Sequence, residues 1–159
     1  MSERTVSHGT FAIEREFPYA PARVFAAWGD PKAKAQWFAA PAHLAKEVAR
    51  EQDFRVGGKE RLRGEWNDGR TSDFHAVYQD ILPDRRIVYS YNMYVNDRKI
   101  SVSLATIEFE PARVDGKPGT RLILTEQGAY LDSGKDGQAS REQGTRALID
   151  NLERALRGA

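Results

Sequence analysis

The sequence predicts an α+β fold in which a curved antiparallel β-sheet of about six or seven strands wraps around one long C-terminal α-helix. Segments with alternating apolar and polar residues recur at nearly regular spacing through the chain, and turn residues separate them. From about residue 136 to 156 the spacing becomes helical, with an apolar stripe of Leu148, Leu152, Ala155 and Leu156. Because this helix is the only element able to cover one face of such a sheet, the pattern predicts a helix-grip arrangement.

The element order leads to the same prediction. A first strand is predicted at residues 10–17, and two short helices follow at about 21–28 and 31–37, each with a proline near its start. Further strands are predicted at residues 47–54, 59–66, 73–82, 86–94, 100–110 and 120–127, with surface loops at 115–119 and 132–137. Gly57-Gly58 predicts a hairpin turn because both glycines can adopt positive φ.

Composition limits the function classes. The 159 residues, 40% hydrophobic and 30% charged, fit one domain, 1–159, with a core at about 10–157. A formal charge of +1 provides no overall field for nucleic acid, so we expect no such partner. Without cysteine there are no disulfides and no thiolate chemistry. With a polar start and no long apolar run, we expect a cytoplasmic protein with no membrane insertion.

The first half of the terminal helix has unusually small residues on its inner face. Continuing the stripe backwards from Leu148 gives Thr145 and Gly144, then Arg141 and Ser140, where a packed core would need larger apolar side chains. Either these turns lie beyond the edge of the sheet, or they cover a hollow between helix and sheet. Ser140 with Gln143 has the form of a capping box, although Ser133 or Asp136 could begin the helix earlier.

Several stretches resemble the heat-shock-protein-90 ATPase activator homologue family, within the START and birch-pollen-allergen-like (SRPBCC) superfamily. They are FPYAPARVFAAW at 17–28 with the following Asp30-Pro31 and 36–38, DFRVGGK at 53–59, ILPDRRIVY at 81–89 and TRLILTE at 120–126. The resemblance covers about residues 10–156 with order and spacing kept. One departure is that Gly144 is followed by Thr145, where many relatives carry tryptophan, which implies a larger or differently shaped hollow.

The resemblance implies a fold that holds a hydrophobic small molecule between sheet and helix. Some members of the superfamily act on such ligands as cyclases, hydrolases or aromatase-type enzymes, and the family name comes from a co-chaperone domain. A chaperone contact is therefore compatible with the resemblance, without support from the residues themselves.

The candidate cavity residues are aromatic or apolar side chains of the strands and helices, together with one acid and one arginine. They are Trp37, Phe38, Trp66, Phe74, Tyr78, Tyr91, Leu124, Glu126, Arg141, Thr145, Leu148 and Leu152. Trp66 and Tyr91 combine an apolar body with a polar group that needs a partner when buried. Phe74 and Tyr78 share one strand face, but the pattern does not determine which face is concave.

Glu126 shares its strand face with Leu122 and Leu124. It is either a buried cavity acid, in which case Arg141 is a candidate partner, or an exposed residue at the point where the face reaches solvent. A buried carboxylate must be paired or protonated, and binding and catalytic sites exploit this requirement.

Other kinds of site have no sequence support. The three histidines are far apart without metal-ligand spacing, so we predict no metal and no cofactor. No Gly-x-Ser-x-Gly elbow occurs, and Gly57-Gly58 lacks the helix and lysine of a phosphate-binding loop.

The leading hypothesis is binding of a hydrophobic or amphipathic small molecule, oriented by Glu126, Tyr91, Trp66 or Arg141. One alternative is an enzyme on the same cavity, with Glu126 or a tyrosine as general acid or base. The other is a protein-interaction module of the chaperone-activator type, which needs an exposed apolar patch. A homodimer through an edge strand is compatible with all of these hypotheses.

Overall fold

The computed structural model describes residues 5–133 and 137–158. Its elements in chain order are β1 (Val6–Phe17), α1 (Pro21–Gly29), α2 (Pro31–Ala35), β2 (Ala45–Gln52), β3 (Lys59–Trp66), β4 (Thr71–Leu82), β5 (Arg86–Val95), β6 (Arg98–Val114), β7 (Lys117–Leu131) and α3 (Gly137–Gly158). No helix within these described ranges is long and apolar enough to span a membrane.

The strands form one seven-stranded sheet in the order β1-β7-β6-β5-β4-β3-β2, with every neighbouring pair antiparallel. Helix α3 lies on the inner face, and α1 and α2 bridge β1 to β2 at the two ends of the strand order. The predicted α+β helix-grip arrangement is confirmed.

Side-chain alternation along the strands defines the concave face. On β4, Phe74, Ala76 and Tyr78 are buried while His75 is exposed, which settles the face that the sequence left open. On β7, Leu122, Leu124 and Glu126 continue the same inner face. Because one face meets the core and the other meets water, the period of two fixes the pairing register of every strand.

The β2–β3 turn differs from the prediction. The strands end and begin at Gln52 and Lys59, so the connection is a six-residue loop rather than a Gly-Gly turn. Gly57 has a φ of 83°, but Gly58 does not have positive φ. Gly58 is needed for another reason: a Cβ there would lie 2.0 Å from the carbonyl oxygen of Asp53. The expectation that both glycines supply positive φ was therefore wrong for Gly58.

The two short helices contribute an aromatic wall at one end of the sheet. Asp30 caps α2 by accepting a hydrogen bond from the Lys32 amide at 3.1 Å. The rings of Trp28 and Trp37 meet edge to face at 4.7 Å, and Trp37 Nε1 donates to the carbonyl of Ala27 at 2.9 Å. This wall closes one end of the space under α3.

Helix α3 is anchored through its second half. Ile149, Leu152 and Leu156 are buried, and the helix packs mainly on β1, β7 and α1. The predicted stripe placed Leu148 in the core, but Ile149 occupies that position and Leu148 is half-buried. Ser140 lies inside the helix rather than at its start, and the proposed start at Asp136 lies outside the described residues.

Candidate ligand-binding cavity

A cavity of about 1100 Å³ lies between the concave face of the sheet and the front half of α3, which we define as residues 137–147. The front half overhangs the sheet because the apolar anchors of the helix all lie after Ala147. Ser140, Gly144 and Thr145 of this half line the space. The small inner residues of α3 therefore cover a hollow rather than extend past the edge of the sheet.

Most of the predicted cavity residues line this space. They are Trp37, Phe38, Trp66, Phe74, Tyr91, Leu124, Glu126, Arg141, Thr145 and Leu148. Tyr78 and Leu152 do not line it. The Tyr78 hydroxyl donates a hydrogen bond to the carboxylate of Glu60 behind the cavity wall, and Leu152 packs in the core beneath α3.

Several lining residues were missed in the sequence. On β5, Met93 lies on the same face as Tyr91, so the period of two could have identified it. Tyr130 follows Glu126 on β7 at a spacing of four and could have been found in the same way. The loop at residues 39–42, which forms part of the rim, has no periodic signal that could have indicated its position.

A polar group of side chains, which we call the Glu126 cluster, lies at one end of the otherwise mainly apolar cavity. Glu126 is only 2% exposed, and its Oε1 accepts a hydrogen bond from the Tyr91 hydroxyl at 2.9 Å. Arg141 Nη1 donates to the Tyr91 hydroxyl at 2.8 Å and lies 3.7 Å from Glu126 Oε2. Arg141 also donates to Ser101 at 2.7 Å and to Ser103 at 3.4 Å.

Burial governs the ionisation of this cluster. Burial raises the pKa of the Glu126 carboxyl, although the nearby Arg141 and the hydrogen bond from Tyr91 oppose the rise. Burial, with the adjacent Glu126 charge, also raises the pKa of the Tyr91 hydroxyl. The cluster can therefore hold a proton at Glu126, accept a hydrogen bond from a ligand, or donate one from the arginine.

A second buried polar group, the Lys34 network, lies behind the cavity wall. Lys34 Nζ donates to Glu60 Oε1 at 2.7 Å, and the Tyr78 hydroxyl donates to the same oxygen. Gln52 in turn donates to the Tyr78 hydroxyl at 2.9 Å. Burial lowers the pKa of Lys34, and the charge of Glu60 opposes this. The network ties α2 to β3 and β4 and holds the aromatic wall in place.

No group of three or more histidine, aspartate or glutamate side chains in the described ranges is placed to hold a metal ion. The Glu126 cluster supplies a carboxyl, a guanidinium and hydroxyl groups. Trp66 adds little to it, because its indole Nε1 already donates to Ser72 at 3.0 Å.

Comparison with solved structures gives near-complete matches. A protein from Rhizobium leguminosarum, described as uncharacterized, is 39% identical with a TM-score of 0.88, covering 99% of this chain and 100% of its own. A protein from Rhizobium loti is 39% identical with a TM-score of 0.84, covering 96% and 99%. The AHSA1 protein from Silicibacter pomeroyi, at 21% identity, a TM-score of 0.69 and coverage of 93% and 97%, shares the fold.

No match was found among curated proteins. The family model described as "Activator of Hsp90 ATPase homolog 1-like protein" matches residues 18–157, which is most of the chain and includes every element from α1 to α3. This chain therefore belongs to the family of Activator of Hsp90 ATPase homolog 1-like proteins.

Proposed function

We propose that this chain binds a hydrophobic or amphipathic small molecule in the cavity between the sheet and α3. The observation that supports the proposal is a cavity of about 1100 Å³ with mainly apolar walls and a buried charged cluster at one end. Ligand pockets in proteins commonly have this composition, with an apolar lining and a few polar groups that fix orientation. The apolar part of the ligand contacts Phe74, Met93 and Leu124, and its polar end meets the Glu126 cluster.

Magnitudes indicate what each part of the cavity contributes. Burying about 250 Å² of apolar ligand surface contributes roughly 6 kcal/mol. Association costs at least about 4 kcal/mol, so shape alone gives weak binding. Selectivity then depends on the polar end, where a mispaired group leaves buried charges unsatisfied.

The first test is native mass spectrometry of the freshly purified protein, followed by denaturing extraction of any released molecule. We expect a small molecule at one copy per chain, and extraction then identifies its chemical class. An apo mass, together with no binding of apolar dyes, would contradict the proposal and favour the protein-interaction alternative.

A pair of tryptophan substitutions on α3 tests the position of the ligand. Thr145 faces the cavity, whereas Gln143 is exposed and does not line it. Thr145→Trp should fill the space under the helix and weaken ligand binding at least about tenfold, which corresponds to about 1.4 kcal/mol. Gln143→Trp should leave affinity unchanged. Equal affinities for the two variants, both folded by circular dichroism, would argue against this cavity placement.

An enzyme acting on the bound ligand is the second candidate, and Glu126 favours it. A cavity carboxyl whose pKa is raised by burial is suited to general acid or base chemistry near neutral pH. Glu126→Gln should then keep the affinity for the ligand recovered by extraction but lose its conversion, measured by product formation in a single-turnover assay. Loss of affinity without any conversion by the wild type would support binding alone.

The proposal also treats residues 10–157 as one binding domain that acts in the cytoplasm, a location compatible with the cysteine-free sequence. Limited proteolysis should leave this range as one resistant fragment. Fractionation of cells that express the protein should recover it with the cytoplasmic contents.

A further inference from the structure

The polar end of the cavity contains two buried atoms without partners. Glu126 Oε2 and the Tyr130 hydroxyl make no hydrogen bond within the described part of the chain, although both residues line the cavity. The 3.7 Å from Arg141 Nη1 to Glu126 Oε2 is an ion-pair distance that is too long for a hydrogen bond. Trp28 Nε1, in the aromatic wall of the cavity, is a third unpaired buried atom among the described residues. Buried polar atoms are almost always paired, so the two orphans at the polar end indicate a missing partner there.

The orphan atoms belong to the same part of β7. Glu126, Gly128 and Tyr130 follow one another on the concave face of the strand. A Cβ added at Gly128 would lie 2.8 Å from the Tyr130 hydroxyl oxygen, so this hydroxyl lies over Gly128, the residue between Glu126 and Tyr130 on that face. Both side chains also contact Arg141, whose Nη1 lies 3.7 Å from Glu126 Oε2 and whose guanidinium carbon lies 5.6 Å from the ring centre of Tyr130. The two orphan atoms are therefore close enough to one guanidinium for a single ligand group that replaces it to reach both.

Charge limits the chemistry of that group. The cluster already contains one cation, Arg141, and one carboxyl, Glu126, in ion-pair contact. A ligand carboxylate would add a second negative charge beside Glu126, and a ligand ammonium would add a second positive charge beside Arg141. A neutral hydroxyl adds no charge, and it can donate one hydrogen bond while accepting another.

Access to the orphan atoms depends on Arg141. Its side chain is 16% exposed, and its guanidinium carbon lies 5.4 Å from the ring centre of Tyr91 and 5.6 Å from that of Tyr130. The guanidinium thus spans the two tyrosines over the buried cluster. A ligand that reaches the orphan atoms therefore has to displace this guanidinium from its hydrogen bonds to Tyr91 and Ser101.

Building on the proposed function, we infer that the ligand is a neutral amphiphile with a hydroxyl head group. The hydroxyl donates to Glu126 Oε2 and accepts from the Tyr130 hydroxyl, and the hydrocarbon part extends along the apolar wall. This assignment gives both orphan atoms a partner without changing the net charge of the cluster.

The test compares 1-decanol, 2-decanone and decanoate, which have the same chain length and differ in the head group. Affinities are measured by displacement of N-phenyl-1-naphthylamine, a neutral dye that fluoresces in apolar surroundings. We expect 1-decanol to bind about tenfold more tightly than 2-decanone, because only the alcohol can donate to the carboxylate. Decanoate should bind more weakly than 1-decanol.

Three variants assign the effect to atoms. Glu126→Gln should remove the preference for the alcohol over the ketone. The amide NH2 of glutamine can take the place of the acceptor oxygen Oε2, and it can donate to the oxygen of either ligand. Tyr130→Phe should weaken both ligands and preserve that preference, since either one can accept from the hydroxyl. Tyr94→Phe is the matched control, because Tyr94 lies on β5 of the same sheet and does not line the cavity. It should leave the affinities for all three ligands unchanged.

The outcomes separate the two levels of the proposal. If neither the dye nor any of the three ten-carbon ligands binds the folded wild type, the proposed function fails. If these ligands bind but 2-decanone has the same affinity as 1-decanol, or decanoate has the highest affinity, the hydroxyl assignment is overturned and the binding function stands. A preference for the alcohol that persists in folded Glu126→Gln also overturns the assignment.

Discussion

Glu60 and Glu126 are both buried on the concave face of one sheet, at 4% and 2% exposure, yet their surroundings differ. Glu60 Oε1 meets the ammonium of Lys34 at 2.7 Å and also accepts from the Tyr78 hydroxyl. Glu126 has a hydroxyl partner on one oxygen, an orphan second oxygen, and its cation 3.7 Å away. Glu60 lies behind the cavity wall, whereas Glu126 lines the cavity.

Burial alone therefore does not identify a functional carboxylate. A buried charge in close contact with its counter-charge is already paired within the protein, and it acts by holding elements together. A buried carboxyl with a free oxygen that faces a cavity leaves an interaction for another molecule to make. The Lys34 network therefore acts within the protein, whereas Glu126 keeps one carboxyl oxygen without a hydrogen-bond partner among the described residues at the cavity.

The largest expected effect is on the Lys34 side. Lys34→Met keeps an apolar stem against the surrounding rings but leaves Glu60 buried without its cation, so we expect a loss of about 3–5 kcal/mol in the free energy of unfolding. Urea unfolding measures it. Lys32→Met, at an exposed position in the same helix, is the control and should change stability little. If Lys34→Met lowers the free energy of unfolding by less than about 1 kcal/mol, Glu60 does not depend on its cation and the structural role of the Lys34 network is wrong.

A third buried carboxylate, Asp73, lies on the convex face of the sheet. Burial alone would raise the pKa of Asp73, but hydrogen bonds from Arg61, Arg63 and His75 outweigh it and lower the pKa to about 2. A depressed pKa contributes stability that is present above the unfolded value of 3.8 and is lost as the pH falls toward 2. This contribution amounts to about 2 kcal/mol.

Urea unfolding of the wild type and of Asp73→Asn between pH 2 and pH 7 should show this loss as a shrinking difference between the two proteins. Glu16→Gln, a change at an exposed carboxylate, is the control and should show no comparable trend. A difference that stays constant across the range would mean that the arginines do not hold Asp73 in its charged form.

The smallest effect is expected at Glu126. A raised pKa means that the folded state favours the protonated form, so its stability relative to a neutral side chain falls as the pH rises above about 4.5. Glu126→Gln should therefore stay within about 1 kcal/mol of the wild type at neutral pH, and should gain on it as the pH rises above 4.5. A loss as large as that of Lys34→Met would make Glu126 a structural residue like Glu60.

The order of elements was predictable because each boundary depends on local chemistry. Proline at the start of α1 and α2 and Asx or glycine residues in the turns are visible in the sequence, and the turn residues Asn96, Asp97 and Gly116 have positive φ. Strand lengths were not predictable from local signals. Residues 117–119 were predicted as a loop but belong to β7. The glycine at 119 suggested a loop, but it is required by packing, because a Cβ there would lie 2.5 Å from the carbonyl oxygen of Phe17.

The site was predictable where periodicity applies. The alternation of β7 placed Glu126 beside Leu124, and helical spacing placed Arg141 and Thr145 on the inner side of α3. The same alternation offered Glu60 beside Leu62, but nothing in the short α2 segment indicates that Lys34 is its partner. That pairing joins residues 26 apart in sequence through the packing of three elements, and only the folded chain brings them together.

Helix α3 separates residues that hold the fold from residues that shape the cavity. Ile149, Leu152 and Leu156 fasten the helix to the core, while Ser140, Gly144 and Thr145 cover the cavity and support no packing of comparable depth. Substitutions in the first set are costly to folding, whereas substitutions in the second set change the volume and chemistry of the cavity at little cost. Substitutions along the first turns of one helix can therefore alter the cavity while the scaffold remains the same.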